Sequence, residues 1–133
     1  MILVDTNVLV DIVSDDPIWA KWSEQRLMIA AAQDELAIND IVYAELSVRY
    51  AAIEELDAMI RDAGVVNAPI PRPALFLAGK AFQRYRTAGG RRTGVLPDFF
   101  LGAHAVISDS ALITRDAARY RTYFPGIALI APN

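Results

Sequence analysis

The fold is decided by the stretch Met1-Ile-Leu-Val-Asp-Thr-Asn7, which starts as an apolar run and ends in three polar residues. A continuous apolar run is typical of a parallel strand that is buried on both faces. The next segment, Val8 to Val13, carries apolar residues at helical spacing. The three polar residues are therefore predicted to lie at a strand-to-helix junction, where open α/β sheets bind their ligands.

Length and composition limit the class of protein. The 133 residues predict a single domain over positions 1–133, and the 54% hydrophobic content favours a well-filled core over disorder. No cysteine is present, which excludes disulfides and thiolate metal sites and fits a reducing, cytoplasmic setting. Asp5 and Asp11 interrupt the first apolar run, so no signal-peptide pattern is present, and no run approaches the roughly 18 apolar residues of a membrane span.

The net charge of −3 argues against nucleic-acid binding through overall charge. A local basic cluster nevertheless surrounds Gly89-Gly90 and consists of Arg84, Arg86, Arg91 and Arg92. Two interpretations stay open for this cluster. It contacts phosphate or carboxylate groups of a ligand, or it is a solvated, charged loop.

Short apolar segments alternate with helical patterns along the whole chain. Strands are predicted at 2–4, 36–38, 65–66, 111–113 and 127–130, and helices at 8–13, 18–32, 41–51, 53–63, 74–86 and 96–107, with a short one ending at 123. This alternation predicts an α/β protein with a mostly parallel sheet and helices on both faces. A polar break is expected from Asp11 to Asp16, and Asp16-Pro17 has the pattern of a helix start.

Four acidic residues fall where ligands of such a sheet bind. Asp5 ends the first strand, and Asp116 follows the fourth strand. Asp98 opens an apolar helix, and Glu45 lies about a turn and a half into the helix that follows the second strand. Carboxylates buried together repel one another, and a divalent cation removes that cost. Oxygen ligands select Mg²⁺ or Mn²⁺, which activates water and neutralises a phosphodiester.

Each acid also has an ordinary structural explanation. Asp5, Asp98 and Asp116 lie where they can cap helices or interact with a helix dipole, and Glu45 can pair with Arg49. Each of these explanations accounts for a single acid, whereas a metal site accounts for all four acids at one edge of the sheet. The single histidine, His104, and the tyrosine Tyr120 are interpreted as packing residues.

The chain resembles PIN-domain ribonucleases. The resemblance rests on Asp5-Thr6-Asn7 after a strand, Glu45, Pro97-Asp98 opening a helix with Ala103-His104-Ala105, and Thr114-Arg115-Asp116. The closing segment Tyr123-Phe124-Pro125-Gly126-Ile127 and the small size resemble the VapC toxins of toxin–antitoxin pairs.

The resemblance implies a three-layer α/β/α sandwich and a Mg²⁺- or Mn²⁺-dependent endoribonuclease that hydrolyses RNA. The acids Asp5, Glu45, Asp98 and Asp116 match a catalytic, metal-binding quartet, with Asp5 and Asp98 as direct ligands. Polar residues that orient ligands or contact phosphate are matched by Thr6, Asn7 and Thr114, while Arg115 occupies a place that varies and is often Asn. The implied partners are an RNA substrate, a cognate antitoxin and a second copy of the chain in a homodimer.

Three other functions remain open. A haloacid-dehalogenase-like phosphatase would use Asp5 as nucleophile but needs a second acid at position 7, where this chain has Asn7. A response-regulator receiver needs an aspartate after the third strand, where this chain has Asn67. The non-enzymatic alternative is a PIN module that only binds RNA or a protein.

Overall fold

The chain is organised around a five-stranded sheet. A computed structural model describes residues 1–132 and contains the strands β1 (Ile2–Val4), β2 (Leu36–Ile38), β3 (Val65–Asn67), β4 (Ala111–Ile113) and β5 (Leu129–Ile130). They lie in the order β3-β2-β1-β4-β5, and every neighbouring pair is parallel. The predicted mostly parallel sheet is therefore confirmed.

Seven helices connect the strands within residues 1–132. They are α1 (Thr6–Val13), α2 (Ala20–Ala31), α3 (Asp40–Ser47), α4 (Ile53–Asp62), α5 (Arg72–Thr87), α6 (Leu96–Ile107) and α7 (Ala118–Tyr123). None of these helices is both long and apolar enough to cross a membrane. The chain adds β2 and β3 on one side of β1, then returns to add β4 and β5 on the other side. Right-handed crossovers in opposite directions place helices on opposite faces, which gives the α/β/α layering.

The register between β1 and β4 sets up the edge where ligands are expected. Val4 is paired with Ile113, and the backbone N–H of Asp5 donates to the carbonyl oxygen of Ile113 at 2.9 Å. The residue that follows each strand is thereby brought next to its counterpart. Asp5 and Thr114 lie side by side at the carboxyl edge although they are 109 residues apart in the sequence.

Several helix boundaries differ from the predictions. Helix α1 begins at Thr6. Helix α2 spans Ala20–Ala31, but a preceding turn starts at Asp16, whose carboxylate accepts from the backbone N–H groups of residues 18 and 19 as the predicted N-cap does. Helix α3 ends at Ser47 rather than near 51, since the amides of Arg49 and Tyr50 bond three residues back in a tighter turn. The last strand is reduced to two residues.

The predicted polar break starting at Asp11 is wrong. Asp11 lies inside α1 and is only 1% exposed, and the helix ends after Val13. Burial of this charge is possible because its carboxylate is paired, with the Arg115 Nε at 2.8 Å and the Ser23 hydroxyl at 3.1 Å.

Helix α6 and the end of α7 pack closely at Gly102. A Cβ atom at this position would lie 2.4 Å from Cδ2 of the Phe124 ring. We expect Gly102→Ala to lower the free energy of unfolding by about 1–3 kcal/mol, because the ring must move within a filled core. Urea denaturation measures this change.

Gly79 is the matched control for that substitution. It lies in α5 and is exposed, and a Cβ atom at this position would have no neighbouring atom within 4 Å. Gly79→Ala should therefore raise the free energy of unfolding by about 0.5–1 kcal/mol through helix propensity. A destabilised Gly79→Ala, or a stabilised Gly102→Ala, would contradict the packing argument.

Candidate active site

Asp5 is the buried centre of the carboxyl edge. Its Oδ2 accepts hydrogen bonds from the Thr114 hydroxyl at 2.8 Å and the Tyr120 hydroxyl at 3.0 Å, with the Asn7 amide nitrogen at 3.5 Å. Burial raises the pKa of the Asp5 carboxyl to about 6, and repulsion from the Asp98 carboxylate adds to this effect. The hydrogen bonds oppose the rise, so Asp5 is a desolvated carboxylate held in a fixed orientation.

The segment after β4 is fixed to Asp5 by Thr114. While its hydroxyl donates to Asp5, the same oxygen accepts from the backbone N–H of Asp116 at 3.1 Å. The backbone N–H of Arg115 donates to Oδ1 of Asn7 at 3.4 Å. The predicted site residues at positions 5, 7 and 114 to 116 are therefore brought into one network.

Glu45 joins the site through Thr6. The Thr6 hydroxyl donates to Glu45 Oε1 at 2.7 Å, which links the first residue of α1 to the middle of α3. Glu45 is exposed, and none of the ion pairs found in residues 1–132 connects it to Arg49. The contact to Thr6 directs this carboxylate toward the carboxyl edge of the sheet.

Asp98 lies in the first turn of α6 and is bound by Arg119. The guanidinium Nη1 of Arg119 donates to Asp98 Oδ2. Burial raises the pKa of Asp98 and the Asp116 carboxylate adds repulsion, while Arg119 opposes both. Asp116 itself is exposed. Arg119 thus supplies one positive charge to a group of mutually repelling acids.

Asp98 repels both Asp5 and Asp116, but the four acids do not form a preassembled metal cage. Within residues 1–132 no group of three or more His, Cys, Asp or Glu side chains is arranged to hold a metal ion. Their donors are all carboxylate oxygens, with Asp5 and Asp98 partly or fully desolvated. This donor chemistry fits Mg²⁺ or Mn²⁺ and does not fit a metal that prefers sulfur or imidazole.

Two contacts at the site are absent from the sequence-based predictions. Tyr120, predicted to be a packing residue, is indeed buried, but its hydroxyl also bonds Asp5. Burial and the neighbouring acids raise the pKa of Tyr120 well above 10, so the hydroxyl stays protonated and remains a donor. Arg119, which binds Asp98, has no predicted role. A buried tyrosine does need a partner for its hydroxyl, but the sequence pattern does not show which one.

The remaining singled-out residues lie as follows. His104 is buried, with its Nδ1 3.3 Å from the side-chain nitrogen of Asn39, and burial lowers its pKa, which agrees with a packing role. The basic cluster is exposed, with two members in the last turn of α5 and two in the loop that leads to α6, namely Arg84, Arg86, Arg91 and Arg92. This loop runs directly into the helix turn that carries Asp98.

The site and sheet order agree with a known family. The family model described as PIN domain matches residues 2–125. The chain belongs to the PIN domain family. No curated protein sequence matches it.

Solved structures with the same fold come from toxin–antitoxin complexes. This PIN domain is similar to a chain of VapBC2 from Rickettsia felis bound to a promoter DNA fragment, with 19% identity, both chains fully covered and a TM-score of 0.75. A toxin–antitoxin complex from Klebsiella pneumoniae matches with 24% identity, 100% and 98% coverage and a TM-score of 0.70. VapBC-1 from nontypeable Haemophilus influenzae matches with 18% identity, 98% coverage of each chain and a TM-score of 0.73.

Proposed function

We propose that this PIN domain is a Mg²⁺- or Mn²⁺-dependent endoribonuclease and the toxin of a toxin–antitoxin pair. The observation that carries the proposal is the buried Asp5 carboxylate, which Thr114 and Tyr120 hold beside a second acid, Asp98. Maintaining a desolvated carboxylate next to another one costs free energy unless a cation is bound there. The fold shared with toxin–antitoxin complexes supports the biological role.

In this proposal Asp5 and Asp98 hold the ion directly, and Glu45 and Asp116 complete its surroundings. A divalent ion bound there supplies the charge that activates water and stabilises the phosphate as its bond breaks. The chain itself contributes orientation, because Thr114 and Tyr120 fix the Asp5 carboxylate and Thr6 fixes Glu45. Arg119 partly neutralises Asp98 and limits repulsion among the acids.

The exposed basic cluster is proposed to contact the RNA backbone. Replacing Arg84, Arg86, Arg91 and Arg92 by Ala should weaken RNA binding and reduce the slope of log K against log salt by up to about 3, at about 0.7 for each lost phosphate contact. Fluorescence anisotropy with single-stranded RNA over a salt series measures the slope. Arg61→Ala, an exposed arginine in α4, is the control. An unchanged slope in the cluster variant would reject this role.

The antitoxin partner is proposed to bind a groove of about 580 Å³ between α1, α2 and α4. Its floor is apolar, with Leu9, Ile12 and Met59, and two acids, Glu55 and Asp62, lie among its lining residues. This chemistry suits an amphipathic segment that carries basic residues. A homodimer and a cytoplasmic location are part of the same proposal.

The test of the nuclease proposal is cleavage of total RNA by the purified protein, free of any antitoxin. Cutting with Mg²⁺ or Mn²⁺ that stops on adding EDTA supports the proposal. Absence of both cutting and stabilisation by Mn²⁺ in the folded protein would favour a PIN module that only binds RNA or a protein. Absence of cutting by a protein that Mn²⁺ stabilises would favour a narrow, structured RNA substrate. Metal-independent cutting would reject the proposed mechanism.

The phosphatase alternative receives no support from the site. It requires an acid at position 7, whereas the Asn7 amide donates toward Asp5 and Thr114 and acts as an orienting group. Metal binding distinguishes the nuclease from the alternative of a PIN module that only binds RNA or a protein. A catalytic site should gain thermal stability from Mn²⁺, since an ion that binds only the folded state stabilises it.

A further inference from the structure

The loop that follows β4 carries site residues but has no regular structure of its own. Residues 114–117, called the site loop here, belong to neither a helix nor a strand. The loop places the Thr114 hydroxyl on Asp5 and brings in Asp116. The backbone N–H of Thr114 still donates to the carbonyl oxygen of Ile130 in β5 at 3.1 Å. Beyond it, the backbone N–H groups of Arg115 and Asp116 donate to side-chain oxygens, so side-chain contacts hold this part of the loop in place.

Arg115 provides those contacts on both its backbone and its side chain. Its backbone N–H donates to Asn7 Oδ1, and its Nε donates to Asp11 Oδ2 at 2.8 Å. Asn7 and Asp11 are four residues apart on α1 and therefore share one face of that helix. The guanidinium carbon also lies 5.7 Å from the centre of the Trp19 ring. Arg115 is thus held at three points.

Asp11 is a buried charge that the proposed chemistry does not use. At 1% exposure its carboxylate would be costly without the partners Arg115 and Ser23. Replacing a buried ion pair by apolar residues is often neutral or stabilising, so stability alone does not account for this pair. The geometry accounts for it, since the pair ties α1 to the site loop.

We propose that Asp11 is a positioning residue, which acts through Arg115 to hold the part of the site loop after Thr114 against α1 and so keeps Asp116 at the site. The catalytic part of this statement rests on the proposed nuclease function. The positional part does not, because it concerns only where residues 114–117 lie. A side chain that acts through another one typically changes a rate by about 10–100-fold.

The test compares Asp11→Asn with Ser23→Ala in the full chain. Ser23→Ala removes the other hydrogen bond to Asp11 but touches no residue of the site loop. We expect Asp11→Asn to lower kcat for RNA cleavage about 10–100-fold with KM within about 2-fold, and Ser23→Ala to leave both unchanged. Arg115→Lys, which keeps the charge, should recover part of the kcat that Arg115→Gln loses.

A second readout is hydrogen exchange of the amides of Arg115 and Asp116 in the folded proteins. Their exchange should accelerate about 10-fold or more in Asp11→Asn and stay unchanged in Ser23→Ala. If Asp11→Asn does not fold, the double variant Asp11→Asn/Arg115→Gln, which leaves no unpaired charge, takes its place with the same expectations.

The outcomes separate this proposal from the nuclease proposal. Unchanged kcat and unchanged exchange in a folded variant would overturn the positioning role, even if the wild type cuts RNA. A wild type that cuts no RNA would overturn the nuclease function, and faster exchange in the variant would still support the positioning role. Faster exchange in Ser23→Ala as well would overturn it, since the effect would then not depend on Arg115.

Discussion

Asp98→Asn is expected to lower the rate of RNA cleavage at least about 100-fold while the protein stays folded. In the wild type Arg119 donates a hydrogen bond to Asp98 Oδ2. Asparagine has the size of aspartate, and its amide oxygen accepts the same hydrogen bond. The substitution removes the negative charge that would bind a cation. Since the loss of groups that merely orient metal ligands costs about 10–100-fold, the loss of a ligand should cost more. Single-turnover cleavage with saturating Mn²⁺ measures the rate.

Asp109→Asn is the matched control for this substitution. Asp109 follows α6, is exposed, and has a φ of 50°, a backbone conformation that asparagine adopts readily. The Asp109→Asn variant should cleave RNA at the wild-type rate. Wild-type cleavage by Asp98→Asn would mean that the activity belongs to a contaminant or that the site is misplaced.

The register of parallel strands explains why part of the site was predictable. Asp5 and Thr114 directly follow two apolar segments, and neighbouring parallel strands end at the same edge. The sequence pattern therefore predicts that residues following these strands, Asp5 and Asp116 among them, reach one edge without any knowledge of side-chain conformations. The same reasoning predicted the parallel sheet.

The contacts that hold those residues were not predictable in this way. Tyr120 and Arg119 are adjacent on α7, yet one bonds Asp5 and the other bonds Asp98. Which contact each makes depends on how α7 packs, and that depends on Phe124 lying over Gly102. The burial of Asp11 likewise depends on Arg115, which is 104 residues away. The periodicity of apolar residues predicts which face of a helix is buried. It does not predict which distant residue a side chain on that helix contacts.

Asp5→Asn is expected to stabilise the metal-free protein at pH 7.5 and to abolish RNA cleavage. Burial raises the pKa of the Asp5 carboxyl from 3.8 to about 6 in the folded protein. Each pKa unit corresponds to about 1.4 kcal/mol, so the ionised carboxylate costs the folded state about 3 kcal/mol at neutral pH. Asparagine avoids this cost and keeps an oxygen for Thr114 and Tyr120. Thermal unfolding should show a Tm higher by up to about 10 °C.

The stabilisation expected for Asp5→Asn depends on pH, because the raised pKa of Asp5 makes the stability of the wild type depend on pH. Between about pH 4 and 6 the folded state binds more protons at Asp5 than the unfolded state does, so the stability of the wild type falls as pH rises through this range. Below about pH 4 the carboxyl is protonated in both states and the cost disappears. The difference in free energy of unfolding between Asp5→Asn and wild type should therefore be large at pH 7.5 and close to zero at pH 3.5.

Mn²⁺ should reverse the order of stability at neutral pH. An ion that binds the ionised Asp5 stabilises only the folded wild type, by an amount that grows with the logarithm of its concentration. Asp5→Asn lacks that carboxylate and should gain little. If wild type and variant have the same stability at pH 7.5 without metal, the carboxylate is better solvated than its burial indicates. If Mn²⁺ stabilises both equally, the ion binds elsewhere, and the free energy that Asp5 costs the fold is not recovered by metal binding.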